Sequence, residues 1–547
     1  MSNDVLDVAI VGAGVSGLYA GWRLRADRTG PERSVAVFEA SERVGGRLLS
    51  LRPPGIPNMV AELGGMRILP AVQPRIRRLI ELLNDGCEPG DRIETFDFPV
   101  DEDDNIAFLR GTYLRLADFA RDPDRVPYRL GFLEKGQRPG GILIQAIEQI
   151  VPGITRPGLD EYERRRMAHG AEFDGKPLYQ QGFWQVLVRV ISGEAYLLAL
   201  DAGGYQSTLS NWNAADAIPW YLSDFGVDAR YKGFRRGFQQ VPDTLDRLFR
   251  EAGGSVRLGA HLTGFEWSPG EALFTLRFRN APSLRSRALV LAMPRRSLDL
   301  IRDGSALLRE ERVTNLVRSV TPRPLFKLFT TYTCPWWRPA GVRAGRSVTD
   351  LPVRQTYYWP TDAGGPAEEG PAMLMASYDD GLNIGFWDGF RPRRGVGWRK
   401  GARDVPNRKW FGGEANARLR ELREAGAAED APDVELLREW LRYCAPAAMV
   451  EEVQRQLRLM HGMSFTPSPV DAAFKDWGDD PFGGGWHSWN IGVKSWEVLR
   501  GIVEPVEEVP LYVCGEAYSD AQGWVEGALQ TADLVLERLG VPGLDTG

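Results

Sequence analysis

Hydrophobic positions in the first forty residues come in blocks rather than alternating. Val5 to Val11 is apolar apart from Asp7, as expected of a strand covered on both faces. The turn Gly12-Ala13-Gly14-Val15-Ser16-Gly17 follows, then helical spacing from Leu18 to Ala26, then a second buried strand over Ser34 to Glu39. This predicts a β-α-β unit. Beyond residue 70 the pattern changes. Residues 94–104 read as an acidic loop (Asp97, Asp101, Glu102, Asp103, Asp104), and 110–200 as mostly helical, including Gly140 to Val151 and Gly182 to Leu200. Strand-like patterning returns from Ser255 to Met293, again at 325–333 and 372–378, and last at Val509 to Cys514, ahead of a helix over Glu526 to Leu539. The two ends of the chain thus read as parts of one α/β domain with long insertions between them.

Composition narrows the chemistry. A length of 547 residues rules out a single small module, and 67 Lys plus Arg against 73 Asp plus Glu gives no basic field for nucleic acid or an anionic membrane. Arg391 to Trp410 carries eight Lys or Arg, but without a partner stripe it reads as a solvated loop. Four cysteines and four histidines are too scattered for a disulfide framework or a zinc site, so no metal is expected. The surplus is aromatic, with 17 Trp, 16 Tyr and 23 Phe, which suits an aromatic pocket whose chemistry does not rest on thiol or imidazole. The first residues show no signal-peptide pattern and no apolar run of membrane-spanning length occurs, so a cytoplasmic location and no membrane partner are expected.

The glycine turn has the spacing of a dinucleotide fingerprint. Gly12 permits the tight turn, Gly14 lets the backbone approach a pyrophosphate, Gly17 allows close helix-to-strand packing, and the amino terminus of the following helix stabilises phosphate charge. Glu39, at the end of the second strand, can accept from a ribose. Immediately after it, Ala40 to Arg47 brings two glycines and an arginine, which would set a guanidinium beside the diphosphate. A nicotinamide dehydrogenase has no general need of that second anchor.

With Glu42-Arg43-Val44-Gly45-Gly46-Arg47 after the fingerprint, and Gly515-Glu516 followed by Gly523-Trp524-Val525-Glu526-Gly527-Ala528, the chain resembles the flavin amine oxidase superfamily. The resemblance spans essentially the whole chain and is weakest from about 90 to 230. It implies a Rossmann-type FAD-binding domain assembled from 1–65, 235–323 and 470–547, an α+β substrate-binding domain from 66–115 and 324–469, and a helical insert over 116–234. It also implies non-covalent FAD lined by Val15, Ser16, Glu39, Ala40, Gly46, Arg47, Gly64, Gly65, Met66, Arg67, Leu262, Gly515, Glu516, Gly523, Trp524, Val525 and Ala528, besides the fingerprint glycines.

Within Ala61-Glu62-Leu63-Gly64-Gly65-Met66-Arg67, the glycines allow close approach to the flavin and Arg67 emerges beside it. A planar guanidinium binds a carboxylate with two parallel hydrogen bonds and offers a simple amine nothing. This arrangement resembles the L-amino acid oxidases and the related amino acid monooxygenases. The resemblance further implies that Tyr378 reaches the substrate carboxylate, that Lys327 holds a water near flavin N5, and that Trp477 and Trp524 wall the substrate side. Each has a plainer reading: a structural carboxylate pair for Arg67, a packed strand aromatic for Tyr378, a lysine snorkelling to solvent for Lys327, a core role for Trp477. Trp220 is a candidate contact for the substrate side chain, and the Gly523 carbonyl for the amino group. The implied reaction is oxidation of an L-amino acid by O2 to a 2-oxo acid, ammonia and hydrogen peroxide. A decarboxylating monooxygenase remains open, as does an amine or polyamine oxidase, which Arg67 disfavours. A homodimer is also left open. Side-chain preference is open between large apolar groups, from the aromatic content, and basic ones, from Asp216 and Asp224.

Overall fold

The computed structural model describes residues 5–27, 29–225, 229–391, 411, 413–479 and 481–545. Its first sheet has seven strands. Ser255–Arg257, Val35–Phe38, Leu6–Val11, Leu284–Leu291 and Leu511–Val513 run parallel in that order. Leu284–Leu291 is shared: its first half pairs antiparallel with Leu273–Phe278, and its second half takes Leu511–Val513. The strand near one end of the chain is thereby placed two positions from the strand near the other. Helices Val15–Ala26, Gln240–Glu251 and Val525–Arg538 cover one face through a core that includes Leu18, Tyr19, Leu245, Phe249, Leu529 and Ala532.

The second sheet also has seven strands, ordered Ala472–Asp476, Phe326–Tyr332, Ala372–Asp379, Gln355–Tyr358, Arg346–Thr349, Ile106–Leu109 and Thr112–Arg115. Every residue of Phe326–Tyr332 and Ala372–Asp379 is buried, and their register sets Lys327 opposite Tyr378 on one side and Lys475 on the other. A helical layer, Pro139–Ile150, Glu161–Gly170, Gly193–Ala202 and Ala214–Phe225, has its own apolar core, into which Trp486 inserts. This mixed α/β architecture matches the expected fold class.

Local expectations change in several places. Residues 106–115, partly read as helix, form a hairpin whose turn places Arg110 and Gly111 at φ 47° and 75°. Gly182 to Leu200 is two helices, Phe183–Leu187 and Gly193–Ala202. The β-branched Val188, Val190 and Ile191 favour the break, and the Ser192 side chain caps the second helix by accepting from the Ala195 amide. Within the acidic loop, Thr95–Asp97 is a short strand paired with Lys232–Phe234. Strand Ala472–Asp476 belongs to the second sheet although it lies past residue 470. Helix Pro74–Asn84 packs Ile76, Leu79 and Leu83 into the first core, although it lies past residue 65. Of the basic segment 391–410, only Arg391 lies among the described residues, where it pairs with Asp476 and Asp388. No described helix is long and apolar enough to cross a membrane.

The tightest point of the first sheet is the fingerprint turn. Gly12 has φ +111°, and a Cβ there would lie 2.2 Å from the Ala292 carbonyl oxygen. Replacing Gly12 by Ala therefore combines backbone strain with overpacking, each worth on the order of 1–3 kcal/mol. We expect the variant to purify without its cofactor and with a lowered Tm; normal cofactor content and an unchanged Tm would show that the turn tolerates a side chain.

Candidate active site

One cavity of about 600 Å³ runs from the fingerprint turn, along the carboxyl ends of the first sheet, to the face of the second sheet. At one end, the helix Val15–Ala26 starts at Gly14 with no side chain capping it, so its first amides are open to an anion. Gly46, at φ +58°, faces Gly14 so closely that a Cβ would lie 3.2 Å from the Gly14 Cα. Glu39 uses its two oxygens to accept from the Ala13 and Ser41 amides, each at 2.8 Å, which fixes the carboxylate at the strand end with lone pairs to spare. Ala40 and Leu262 complete that part of the wall.

Midway, Glu516 takes a charge-assisted bond from Arg47, lies 2.8 Å from His487 Nδ1, and accepts from the Gly523 amide at 3.1 Å. Burial alone would raise this carboxyl, but Arg47 and then His487 outweigh it and hold it at about 2. His487 is buried, and desolvation lowers its pKa against the opposing pull of the Glu516 carboxylate beside Nδ1. Gly515, Val525 and Ala528 line the cavity at the start of the final helix. The uncapped helix start, the glycine cradle and the Arg47–Glu516 pair fit an extended dinucleotide diphosphate such as FAD. Gly17 alone of the expected cofactor residues does not line the cavity. A Cβ there would sit 2.0 Å from the Gly12 carbonyl, so its part is helix-to-strand packing.

At the far end, the segment Glu62 to Arg67 is gripped from both sides. The Leu63 and Gly64 amides donate to the Leu49 carbonyl and the Gly65 amide to that of Arg47. From the second sheet, Lys327 Nζ donates to the carbonyls of Glu62 (3.1 Å) and Gly64 (2.5 Å), and Trp477 Nε1 to that of Leu63 (2.7 Å). Lys327 is 1% exposed and does not snorkel to solvent; burial lowers its pKa, and burial likewise raises that of the adjacent Glu62. Arg67 is 4% exposed and forms no ion pair among the described residues. Its guanidinium reaches the Tyr205 hydroxyl at 3.3 Å and the Tyr357 hydroxyl at 3.5 Å. Tyr378 lines the cavity beside it, edge-on to Tyr205 with ring centroids 5.3 Å apart. Met66, Gly65 and Trp524 are also on the wall.

Trp220 lines the roof, donates Nε1 to the Gln522 carbonyl at 2.8 Å and stacks on Trp486 with centroids 5.6 Å apart. Of the two acids, Asp224 lines the cavity, and burial raises its pKa to about 6. Asp216 does not line it and is bound instead by Ser495 and His169. Sequence reasoning missed Tyr205, Trp486, Asp380 and His487. The first three come from the insert and from strand ends, where no spacing marks them, and His487 sits in a strand of only four residues.

This geometry defines a flavoenzyme site, and the chain belongs to the flavin containing amine oxidoreductase family, which it matches over residues 15–389 and 435–536. FAD is accordingly its cofactor. It is 27% identical to aplysianin-A of Aplysia kurodai, covering 98% of this chain and 90% of that protein, and 24% identical to achacin of Lissachatina fulica (97% and 93%). An L-amino-acid oxidase of Sistrurus catenatus edwardsii is 26% identical over 64% of this chain and 62% of its own length. Among solved structures, putrescine oxidase bound to putrescine shares the fold, with a TM-score of 0.62 at 19% identity over 98% of this chain and 99% of that one.

The Glu516 site carries a pH signature. A carboxyl lowered from 4.5 to about 2 stabilises the native state above pH 5 by on the order of 3 kcal/mol, a contribution lost as pH falls through 4 toward 2. In urea titrations of the cofactor-free protein, wild type should lose this increment between about pH 5 and 2, whereas Glu516→Gln should lack it. Parallel pH dependences for the two proteins would count against the assignment.

Proposed function

We propose that this chain catalyses oxidative deamination of L-amino acids: amino acid, O2 and water give a 2-oxo acid, ammonia and hydrogen peroxide. The observation that carries the reading is Arg67, a buried guanidinium on the cavity wall that makes no ion pair among the described residues, the buried Asp224 favouring its charge only from farther off. Burying a cation is costly unless it is paired, and a substrate carboxylate completes the site with two charge-assisted bonds. An amine without a carboxylate would meet that charge with repulsion. The sequence likeness to a snake L-amino-acid oxidase supports the same choice.

When bound, FAD supplies the two-electron acceptor for the Cα hydrogen and passes the electrons on to O2. The protein's part is to hold the substrate and manage protons. Arg67 fixes the carboxylate with help from Tyr378, while Trp220, Trp486 and Trp524 exclude water around the amino-bearing carbon. Lys327 is the candidate to hold a water and move a proton at Nζ, a role supported by its place on the cavity wall and by burial lowering its pKa.

Three outcomes follow. Arg67→Ala should cost about 2–5 kcal/mol of substrate binding, read as a raised KM, while the purified protein stays yellow; a wild-type KM would remove Arg67 from carboxylate binding. Lys327→Met should slow flavin reduction or reoxidation in stopped-flow absorbance with FAD still bound, and unchanged rates for both would remove Lys327 from the chemistry. A peroxide-release screen over L- and D-amino acids, putrescine and benzylamine should give turnover with L-amino acids alone and a 2-oxo acid product. An amide product would mark a monooxygenase instead.

A further inference from the structure

Arg67 carries a long side chain whose function needs one fixed plane, yet its hydroxyl contacts at 3.3 and 3.5 Å lie at the long end of the hydrogen-bond range and bind only its edge. The close contact is on its face. Tyr231 lies with its ring centroid 3.8 Å from the guanidinium carbon, whereas the rings of Phe98 and Tyr357 are 5.7 and 5.9 Å away. A cation held flat on an aromatic face is attracted by the ring quadrupole, more so when desolvated, and the contact fixes the plane of the fork.

The ring is itself held at both ends. Ile68 and Lys232, the residues following Arg67 and Tyr231, exchange backbone hydrogen bonds at 2.9 Å each way, so the two segments cannot slide past one another. The Phe98 amide donates to the Tyr231 carbonyl at 2.9 Å. At the far edge of the ring, the Tyr231 hydroxyl donates to the Asp224 carbonyl at 2.6 Å, with an Asp224 carboxylate oxygen 3.1 Å away. Asp224 lies one turn beyond Trp220 on the helix Ala214–Phe225, and that helix is tied through Trp220 to the Gln522 carbonyl. A buried hydroxyl must find a partner, and here the partner is the helix that roofs the cavity.

We propose that Tyr231, braced by Asp224, is a positioning residue that presents the Arg67 guanidinium flat to the substrate carboxylate and links its orientation to the roof helix. The proposal rests on the carboxylate role of Arg67 given above. It explains why a tyrosine stands where a phenylalanine would fill the same core.

Benzoate, a carboxylate with no amine to oxidise, serves as the probe, its binding to the FAD-loaded enzyme read from the flavin absorbance. Tyr231→Leu should weaken benzoate at least tenfold and raise the KM for the best L-amino acid in parallel, with kcat within threefold and FAD content unchanged. Tyr231→Phe, which keeps the ring and loses only the tie to Asp224, should weaken benzoate two- to fivefold. Benzoate affinity within twofold of wild type in Tyr231→Leu would overturn the proposal, as would a fall in kcat, FAD content and Tm together without a change in KM, the mark of simple packing. If Tyr231→Leu fails to load FAD, Tyr231→Phe decides, and wild-type benzoate binding in that variant overturns the proposal. Arg67→Ala separates the two levels: if that variant binds benzoate normally, the carboxylate role itself fails, whereas its loss beside normal binding in the Tyr231 variants overturns the Tyr231 role alone.

Discussion

Three successive carbonyl groups, those of Glu62, Leu63 and Gly64, hold the two halves of the site together. All three accept from side chains on or just past strands of the second sheet, two bonds from Lys327 and one from Trp477, while the amides of the same segment are spent on residues 47 and 49 of the cofactor-facing chain. A segment with both edges hydrogen-bonded cannot shift without leaving buried polar groups unmet, each worth about 1–3 kcal/mol. The spacing between the cofactor cleft and the substrate wall is therefore set by backbone chemistry, with the chemically active side chains hung from it.

Lys327 thus has two parts that pull its charge in opposite directions. As an anchor it gives hydrogens to carbonyl oxygens, which the ammonium form does best. Burial, and Arg67 nearby, disfavour that form, while Glu62 favours it. A buried lysine with a carboxyl neighbour can give up and regain a proton without moving its chain, because the contacts to the two carbonyls survive in either state. Arg67 has no such freedom. Its proton stays, favoured by Asp224 nearby, and its contacts with hydroxyls and ring faces leave the positive charge facing the cavity.

Cofactor chemistry was the most legible in the sequence, because it depends on backbone conformations that only a few residue types allow. The positive φ of Gly12 and Gly46, the tight packing of Gly17 and the position of Glu39 are each written in one short stretch. Arg67 was legible because it stands beside such a stretch. The substrate wall was less so. Tyr205, Tyr231 and Trp486 are three aromatics in a chain rich in them, and only long-range pairing brings them together. The hairpin at 106–115 and the break at 188–192 escaped for a related reason, since short apolar runs fit either helix or strand until their neighbours decide.

Arg47 and Glu516 meet across the cleft from positions far apart in the chain, and Leu511–Val513 slots in beside a strand that ends at Leu291. During synthesis, residues 511–528 leave the ribosome roughly five hundred residues after the fingerprint turn, a delay on the order of 25–100 s at about 5–20 residues per second. Until then the nascent chain has a phosphate cradle with its far wall missing, one parallel strand position open on Leu289–Leu291, and Arg47 without its acid. Dinucleotide captured early would be held by one end only. Stable loading therefore waits for residues 511–528 to emerge, since a chain cut before this stretch would lack Glu516 and the strand beside Leu289–Leu291.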